Sequence, residues 1–337
     1  MHRVAKSFTT HARSVAASRR LLHPKSAGRF VVLFSTDAPQ MGKRLTPEEI
    51  VERRAKRAER REASGDSEEK SEAIFIEGSV RPYHRHYVIV ERENTDPNAW
   101  PAKLERTPEH ILSSYMAALV EIYGGDVTKV KKSPLLVTAA IPYTGMCSGG
   151  LRDDNVNPTE SLEEGAHDIL VFPDFVRVHN VVPSQISTLV SKSLEKDLDL
   201  PAVLEQENLQ YTRVENAYHM MVCGHAARDE RCGCKGPELL EWLKNSAPDA
   251  NKPLNLWTSS HYGGHRYAAA CIVYPSGDWF GLLNEENKAK GMLEAVNDQD
   301  PLRIFELWRG RMGLTAKEMH QAVKERVEAP DELAGNA

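Results

Sequence analysis

The order of elements predicts an α/β protein of two similar lobes behind a basic leader. Three observations carry this. Each half of the chain reads strand, helix, strand, then a hairpin and a helix, which suits a small α/β sandwich of the thioredoxin type. The 337 residues are enough for about two domains of roughly 100–200 residues each. The first 36 residues stand apart in composition from everything that follows.

Residues 1–36 contain Arg3, Lys6, Arg13, Arg19, Arg20, Lys25 and Arg29, and no acid precedes Asp37. An Arg- and Ser-rich, acid-poor start is the signature of a mitochondrial transit peptide; the plainer reading is a disordered basic tail. Basic residues interrupt every apolar run before Val31, against a secretory signal, and Phe30 to Phe34 is too short for an anchor. Residues 37–73 read as a charged linker or helix. Thr46-Pro47-Glu48-Glu49 is a helix start, but from Ile50 to Glu62 most side chains are charged, leaving little apolar face to bury.

The first lobe is expected over residues 74–200. His86 to Val90 reads as a strand. Thr107-Pro108-Glu109 opens a helix with Ile111, Leu112, Tyr115, Met116, Leu119 and Ile122 at helical spacing. Pro134 to Ile141 reads as a buried strand, Asp168 to Val178 as a strand pair, and Pro183-Ser184 opens a helix to about Leu194. The second lobe is expected over 201–330. It has a strand at Tyr218 to Val222, a helix from Pro237 to Asn245 and a strand at Leu254 to Ser259. A hairpin follows around Pro275-Ser276-Gly277-Asp278, then helices at about Leu302–Arg309 and Thr315–Arg326.

Composition excludes some classes of function. The chain is 41% hydrophobic and 27% charged, with a net charge of −5, which gives no whole-protein signal for nucleic acid. With a mean hydropathy of −0.48, no apolar run approaches the ~20 residues of a membrane helix. The five cysteines, Cys147, Cys223, Cys232, Cys234 and Cys271, are too few and too uneven for a secreted disulfide framework.

Three of those cysteines fall in the segment Cys223-Gly-His225-Ala-Ala-Arg228-Asp229-Glu-Arg-Cys232-Gly-Cys234-Lys-Gly-Pro237, between a strand and a helix. With Pro237 in the first helical turn, Cys232 and Cys234 lie near a helix N-terminus, whose partial positive charge favours thiolate. A second segment, Ser260-His261-Tyr262-Gly263-Gly264-His265-Arg266, is a glycine loop that lets two imidazoles converge. It lacks the Glu and the helix of the zinc-protease motif. Two thiolates and two imidazoles suit a closed tetrahedral zinc or a [2Fe–2S] cluster with histidines on one iron, and ligand softness does not decide between them. No CxxC knuckle is present, and no second Cys-x-x-His box follows Cys223-Gly-His225.

Arg81-Pro82-Tyr83-His84-Arg85-His86, Trp100-Pro101-Ala102-Lys103, the Cys223–Cys232 segment, His261-x-Gly263-Gly264-His265 and Trp308-Arg309-Gly310-Arg311-Met312-Gly313-Leu314 together resemble the sucrase/ferredoxin-like family over about residues 80–320. The resemblance implies a thioredoxin-like ferredoxin fold and a [2Fe–2S] cluster with bis-histidinyl ligation. Its pattern falls on Cys223 and Cys232 for the cysteines and on His261 and His265 for the histidines. It further implies an electron carrier rather than an enzyme with its own small-molecule substrate. A redox protein partner, either a reductase or an acceptor, and the iron–sulfur assembly machinery would serve it. With the leader, it implies a mitochondrial place, in the matrix or intermembrane space, with a cytosolic pool as an addition.

Plainer roles stand beside these. His225 reads as a structural histidine next to the ligands, Arg228-Asp229 as a local salt bridge or loop brace, and Arg266 as a surface arginine or a donor to the cluster. Cys271 reads as core, Cys147 as a free thiol, and His84 and His86 as structural. Cys234 is outside the pattern: a substitute ligand, a resolving thiol or a bystander. Two other functions compete with electron transfer. One is a thiol–disulfide quality-control protein using Cys232-Gly-Cys234, and the other is a zinc-stapled interaction module. A hydrolase has no support, since no pair of catalytic carboxylates is evident.

Overall fold

The computed structural model describes residues 76–92, 95–143 and 164–328. The expected transit peptide (1–36), the charged linker (37–73) and Cys147 lie outside the described residues.

In the first half, β1 (Arg85–Val90) leads through α1 (Ile111–Ile122) and the short α2 (Val127–Lys131) to β2 (Leu135–Pro142). The hairpin β3 (His167–Phe172) and β4 (Val176–Val181) follows, then α3 (Pro183–Ser193), α4 (Leu200–Gln206) and β5 (Tyr211–Arg213). The second half repeats the order. It runs through β6 (Tyr218–Cys223), α5 (Glu230–Asn245), β7 (Leu254–Ser259), β8 (Cys271–Tyr274), β9 (Asp278–Phe280), α6 (Glu286–Asn297), β10 (Trp308–Arg311) and α7 (Ala316–Glu328).

The ten strands of the described residues join one sheet in the order β10-β9-β8-β6-β7-β2-β1-β3-β4-β5. Read outward from the β2–β7 junction, the halves match. β1 runs parallel to β2 and antiparallel to β3, and β6 runs parallel to β7 and antiparallel to β8. The junction itself is antiparallel, from Ala140 opposite Ser259 to Pro142 opposite Trp257. The fold is thus mixed α/β, with two similar lobes joined edge to edge.

Alternation along the strands distributes the side chains between two cores. Tyr87 and Ile89 of β1 join Leu112, Tyr115 and Leu119 of α1 and Ile186 and Leu189 of α3. Val88, between them, belongs to the other core, which continues into the second lobe through Met220, Val222, Leu240 and Trp257. Each such side chain, removed from water, contributes about 1.5–3 kcal/mol. Among the described residues, no helix is long and apolar enough to cross a membrane.

Three local differences from the sequence reading have physical causes. Helix α5 begins at Glu230, not at Pro237, because Asp229 caps it by accepting the Arg231 N–H at 3.0 Å. Pro237 is therefore an interior proline. Trp308–Arg311 is a strand, not a helix: it pairs with β9, and the Trp308 indole donates to Asp278 Oδ1 at 2.8 Å. Helix α6 has no counterpart in the sequence reading: Ala289, Met292, Leu293 and Val296 are buried at helical spacing, but Gly291 and the lysines around Ala289 obscure that period.

His86 and His219 are fully buried in this framework. His86 bonds Tyr274 Oη at 2.7 Å and Thr138 Oγ1 at 2.9 Å, and burial pushes its pKa down to about 3. His219 donates through Nε2 to the Val214 carbonyl at 3.1 Å and is pushed down to about 4, again by burial. Above the unfolded value of about 6.5 both states are neutral and the histidines cost nothing. Below it only the unfolded chain takes up these protons, so stability falls with pH until the folded values are reached. Each histidine contributes up to about 1.4 kcal/mol per pH unit in that window. The urea unfolding midpoint should therefore drop from about pH 7 to about pH 5, and His219→Phe should flatten the slope. An unchanged midpoint across that range would contradict this reading.

Candidate metal centre

The parallel register of β6 and β7 places Cys223 beside Ser259, so the segments leaving both strands emerge at one edge. Carboxyl ends of parallel strands are where open α/β sheets gather functional groups. From β6 the chain turns through Gly224 and His225 into α5; from β7 it enters the glycine loop of His261 and His265. Helix α5 lies directly against the end of β6. A Cβ on Gly236 would sit 2.5 Å from the Cys223 carbonyl oxygen, so only glycine allows this approach. The contact brings Cys232, in the first turn of α5, to Cys223.

The Sγ atoms of Cys223 and Cys232 and a ring nitrogen of His261 all lie within 4.8 Å of one another. Among the described residues no other His, Cys, Asp or Glu side chains form such a trio. His261 Nδ1 is 3.9 Å from Cys223 Sγ, and both cysteines are buried. The two thiols interact and titrate as a pair. The hydrogen bond from Cys223 pulls the Cys232 thiol down, with help from His261. The same hydrogen bond and burial push Cys223 up.

His265 opens a short 3₁₀ turn, His265–Tyr267, behind Gly264, whose φ is 76°. Its ring centroid lies 5.4 Å from that of His261, and its Nε2 is 3.9 Å from Asp229 Oδ2. The ring is 48% exposed. Three of the four ligands that the resemblance implies thus converge, and His265 stands next to His261 outside the trio.

The remaining residues separate into supports and bystanders. Cys234 is exposed and outside the trio. His225 uses both ring nitrogens: Nε2 donates to the Pro101 carbonyl at 3.0 Å, and Nδ1 accepts the His261 backbone N–H at 3.3 Å. Trp100 packs edge-on against that ring at 5.4 Å, which gives the Trp-Pro segment its purpose. Arg228 and Asp229 do not pair with each other. Arg228 donates to the Ala102 carbonyl at 3.2 Å, and Asp229 takes Arg231 in a 2.9 Å ion pair. Cys271 is buried in β8, its thiol pushed up by burial. His84 bonds the Ser193 carbonyl at 3.1 Å. The Arg266 guanidinium stacks over Tyr267 at 4.7 Å.

One residue that the sequence reading left inside a motif proves central to the loop. Arg309 is 1% exposed. Its guanidinium stacks over Tyr267 and Trp279, at 4.9 and 5.2 Å, and donates to Ser79 Oγ at 3.1 Å and to the Gly263 carbonyl at 3.5 Å. A Cβ on Gly264 would lie 2.1 Å from Arg309 Nη2. The Trp-Arg-Gly segment therefore fixes the shape of the histidine loop from below. Tyr262 fixes it from within, its hydroxyl donating to the Ala270 carbonyl at 2.7 Å.

Comparison with known proteins places this arrangement. Residues 76–310 match the sucrase/ferredoxin-like family. A Debaryomyces hansenii protein named "Altered inheritance of mitochondria protein 32" is 25% identical over 245 residues, covering 69% of this chain and 84% of the relative. The Candida glabrata protein of the same name is 25% identical over 281 residues, with coverages of 69% and 80%. That of Eremothecium gossypii is 27% identical over 241 residues, covering 60% and 70%. No solved structure matches the chain. The family match runs through both lobes and includes Cys223, Cys232, His261, His265 and Arg309, and on that span the chain belongs to the sucrase/ferredoxin-like family.

Proposed function

We propose that the chain is a mitochondrial one-electron redox protein with a [2Fe–2S] cluster on Cys223, Cys232, His261 and His265. The observation that carries this is the convergence of two buried sulfurs and the His261 imidazole, delivered by two separate segments, with a second imidazole alongside. The donor set fits the group: two thiolates and two neutral imidazoles satisfy two irons. The trio by itself would also suit one ion. The position of His265 beyond it favours a wider centre, since the donors around a single tetrahedral zinc lie only about 4 Å apart. Family membership supports the same reading. The basic leader and the names of the relatives support the mitochondrial place, in the matrix or the intermembrane space.

When bound, the cluster would supply a one-electron redox centre whose histidine ligation raises its potential above that of an all-cysteine ferredoxin. The chain's own residues do the rest. Cys223 and Cys232 present sulfur from the end of β6 and the first turn of α5. His261 turns Nδ1 toward the sulfurs, which leaves its Nε2 to hold the ring proton. His265 lies with Nε2 on the Asp229 side, 3.9 Å from Oδ2, and would bind through Nδ1. Arg309 and the Gly263-Gly264 turn keep the two imidazoles side by side. The half-exposed His265 edge is where a reductase or an acceptor would dock, and the iron–sulfur assembly machinery would load the site.

A second reading rests on the closeness of the Cys223 and Cys232 sulfurs, which lie within 4.8 Å of each other. The two could form a disulfide by exchange with an oxidised partner, which takes both electrons and releases as a dithiol. The two readings compete for the same sulfurs. The exposed Cys234 does not belong to this pair.

Full-length protein purified without oxygen should contain about two irons and two sulfides per chain. Cys232→Ser and His261→Ala should lose both, and Cys234→Ser should keep them. About one zinc per chain would refute the cluster. A metal-free protein with a reversible Cys223–Cys232 disulfide would favour the second reading.

Gly264→Ala forces a side chain into a left-handed conformation against Arg309, at a cost of about 1–3 kcal/mol. That variant and Arg309→Met should release iron faster than the parent while the lobes stay folded by circular dichroism. Iron retention equal to the parent in both would show that the loop does not depend on this contact.

A further inference from the structure

A cavity of about 220 Å³ opens between the first lobe and the histidine segments of the second. Its apolar wall comes from Leu112, Met116 and Leu119 of α1, with Val130 and Leu135. Its other wall is made by His225, Ser260 and His261, so it reaches the imidazole that the proposed centre uses. The charges around it are unequal: Arg81, Lys131 and Arg228 are opposed by Glu105 alone. Glu105 is 4.0 Å from Arg228, which accounts for one cation. Arg81 donates to the carbonyls of Ser133 and Leu135. Neither it nor Lys131 has a carboxylate partner among the described residues. Burial also lowers the Arg81 pKa, the effect of a guanidinium taken from water without a counter-charge. A mostly apolar cleft with a few convergent polar groups is the usual form of a small-molecule site.

We infer that this cavity binds a small amphiphilic anion, its charged head facing Arg81, Lys131 and Arg228 and its short hydrocarbon part lying on Leu112 and Met116. The volume falls below the ~300–1,000 Å³ usual for drug-sized ligands, so the occupant is smaller, in the range of a short-chain carboxylate. Bound there, it covers the cavity-facing side of His261. The site stands on the cavity and its charges, whichever metal the neighbouring centre holds.

The test is calorimetric titration of the full-length chain with hexanoate, hexylammonium and hexanol, with metal content measured on the same samples. Hexanoate should bind once per chain, more tightly than hexanol, and hexylammonium should not bind. Lys131→Glu and Met116→Trp should each weaken hexanoate about tenfold, the first by loss of one charge-assisted contact and the second by filling the cavity. Should Met116→Trp fail to fold, Lys131→Glu decides. No hexanoate binding, equal binding of the cation or the alcohol, or unchanged affinity in the folded variants would overturn the inference. Because metal is assayed separately, a metal-free chain that still binds hexanoate separates failure of the cluster reading from failure of this one.

Discussion

The site depends on one constraint, the parallel pairing of β6 and β7 in the register that sets Cys223 against Ser259. Parallel neighbours end at the same edge of a sheet, so the two segments bearing donors leave the fold side by side. A shift of one residue would turn every side chain of the strand to the other face and carry Cys223 away from His261. Everything else refines this placement. Gly236 lets α5 rest on the end of β6. Asp229 starts that helix early enough to put Cys232 in its first turn. Ser260 pins the entry to the histidine loop against β2, accepting the Ala139 N–H at 3.0 Å and donating its own N–H to the Ala139 carbonyl at 2.7 Å.

The two lobes share a framework but divide the work. At the end of β1, the counterpart of β6, stands Val90 in place of a cysteine. The next residue, Glu91, is hydrogen-bonded to His110 Nε2 at 2.6 Å. Among the described residues, the first lobe thus brings no side chain into the donor trio. Its contribution is to hold the second lobe's site in place: Pro101 and Ala102 present carbonyls to His225 and Arg228, and α1 and α2 form the apolar wall of the cavity beside His261. The site is built by one lobe and braced by the other, which is why a single lobe would leave His225 without its acceptor.

Much of this was legible in the sequence, and for physical reasons. Strands β1, β2, β6 and β7 are short apolar runs bounded by turn residues, so their existence and limits could be read directly. The Cys223–Cys232 and His261–His265 segments pointed to one neighbourhood because few other arrangements need those residue types so close together, and Cys223, Cys232 and His261 meet there. What escaped depends on contacts distant in the chain. Pro237 is a strong signal for a helix start, but the Asp229 cap outweighs it. Trp308 and Arg309 have no strand signature of their own; they become a strand because β9 offers an edge and Asp278 and Tyr267 offer partners. The role of His225 could be narrowed to a support from sequence, yet its acceptor, Pro101, lies 124 residues away and only the fold brings them together. The inequality of charge around the cavity was equally hidden, since Arg81, Lys131 and Arg228 come from three separate segments.

The central claim is that two imidazoles from the glycine loop share one centre with two thiolates from β6 and α5. Pulsed electron paramagnetic resonance of the reduced full-length protein, carrying ¹⁵N-labelled histidine, tests it most directly. The account predicts couplings from two histidine nitrogens, one of them lost in His265→Cys with the centre retained. A signal without strong histidine nitrogen coupling, or one that His265→Cys leaves unaltered, would contradict it.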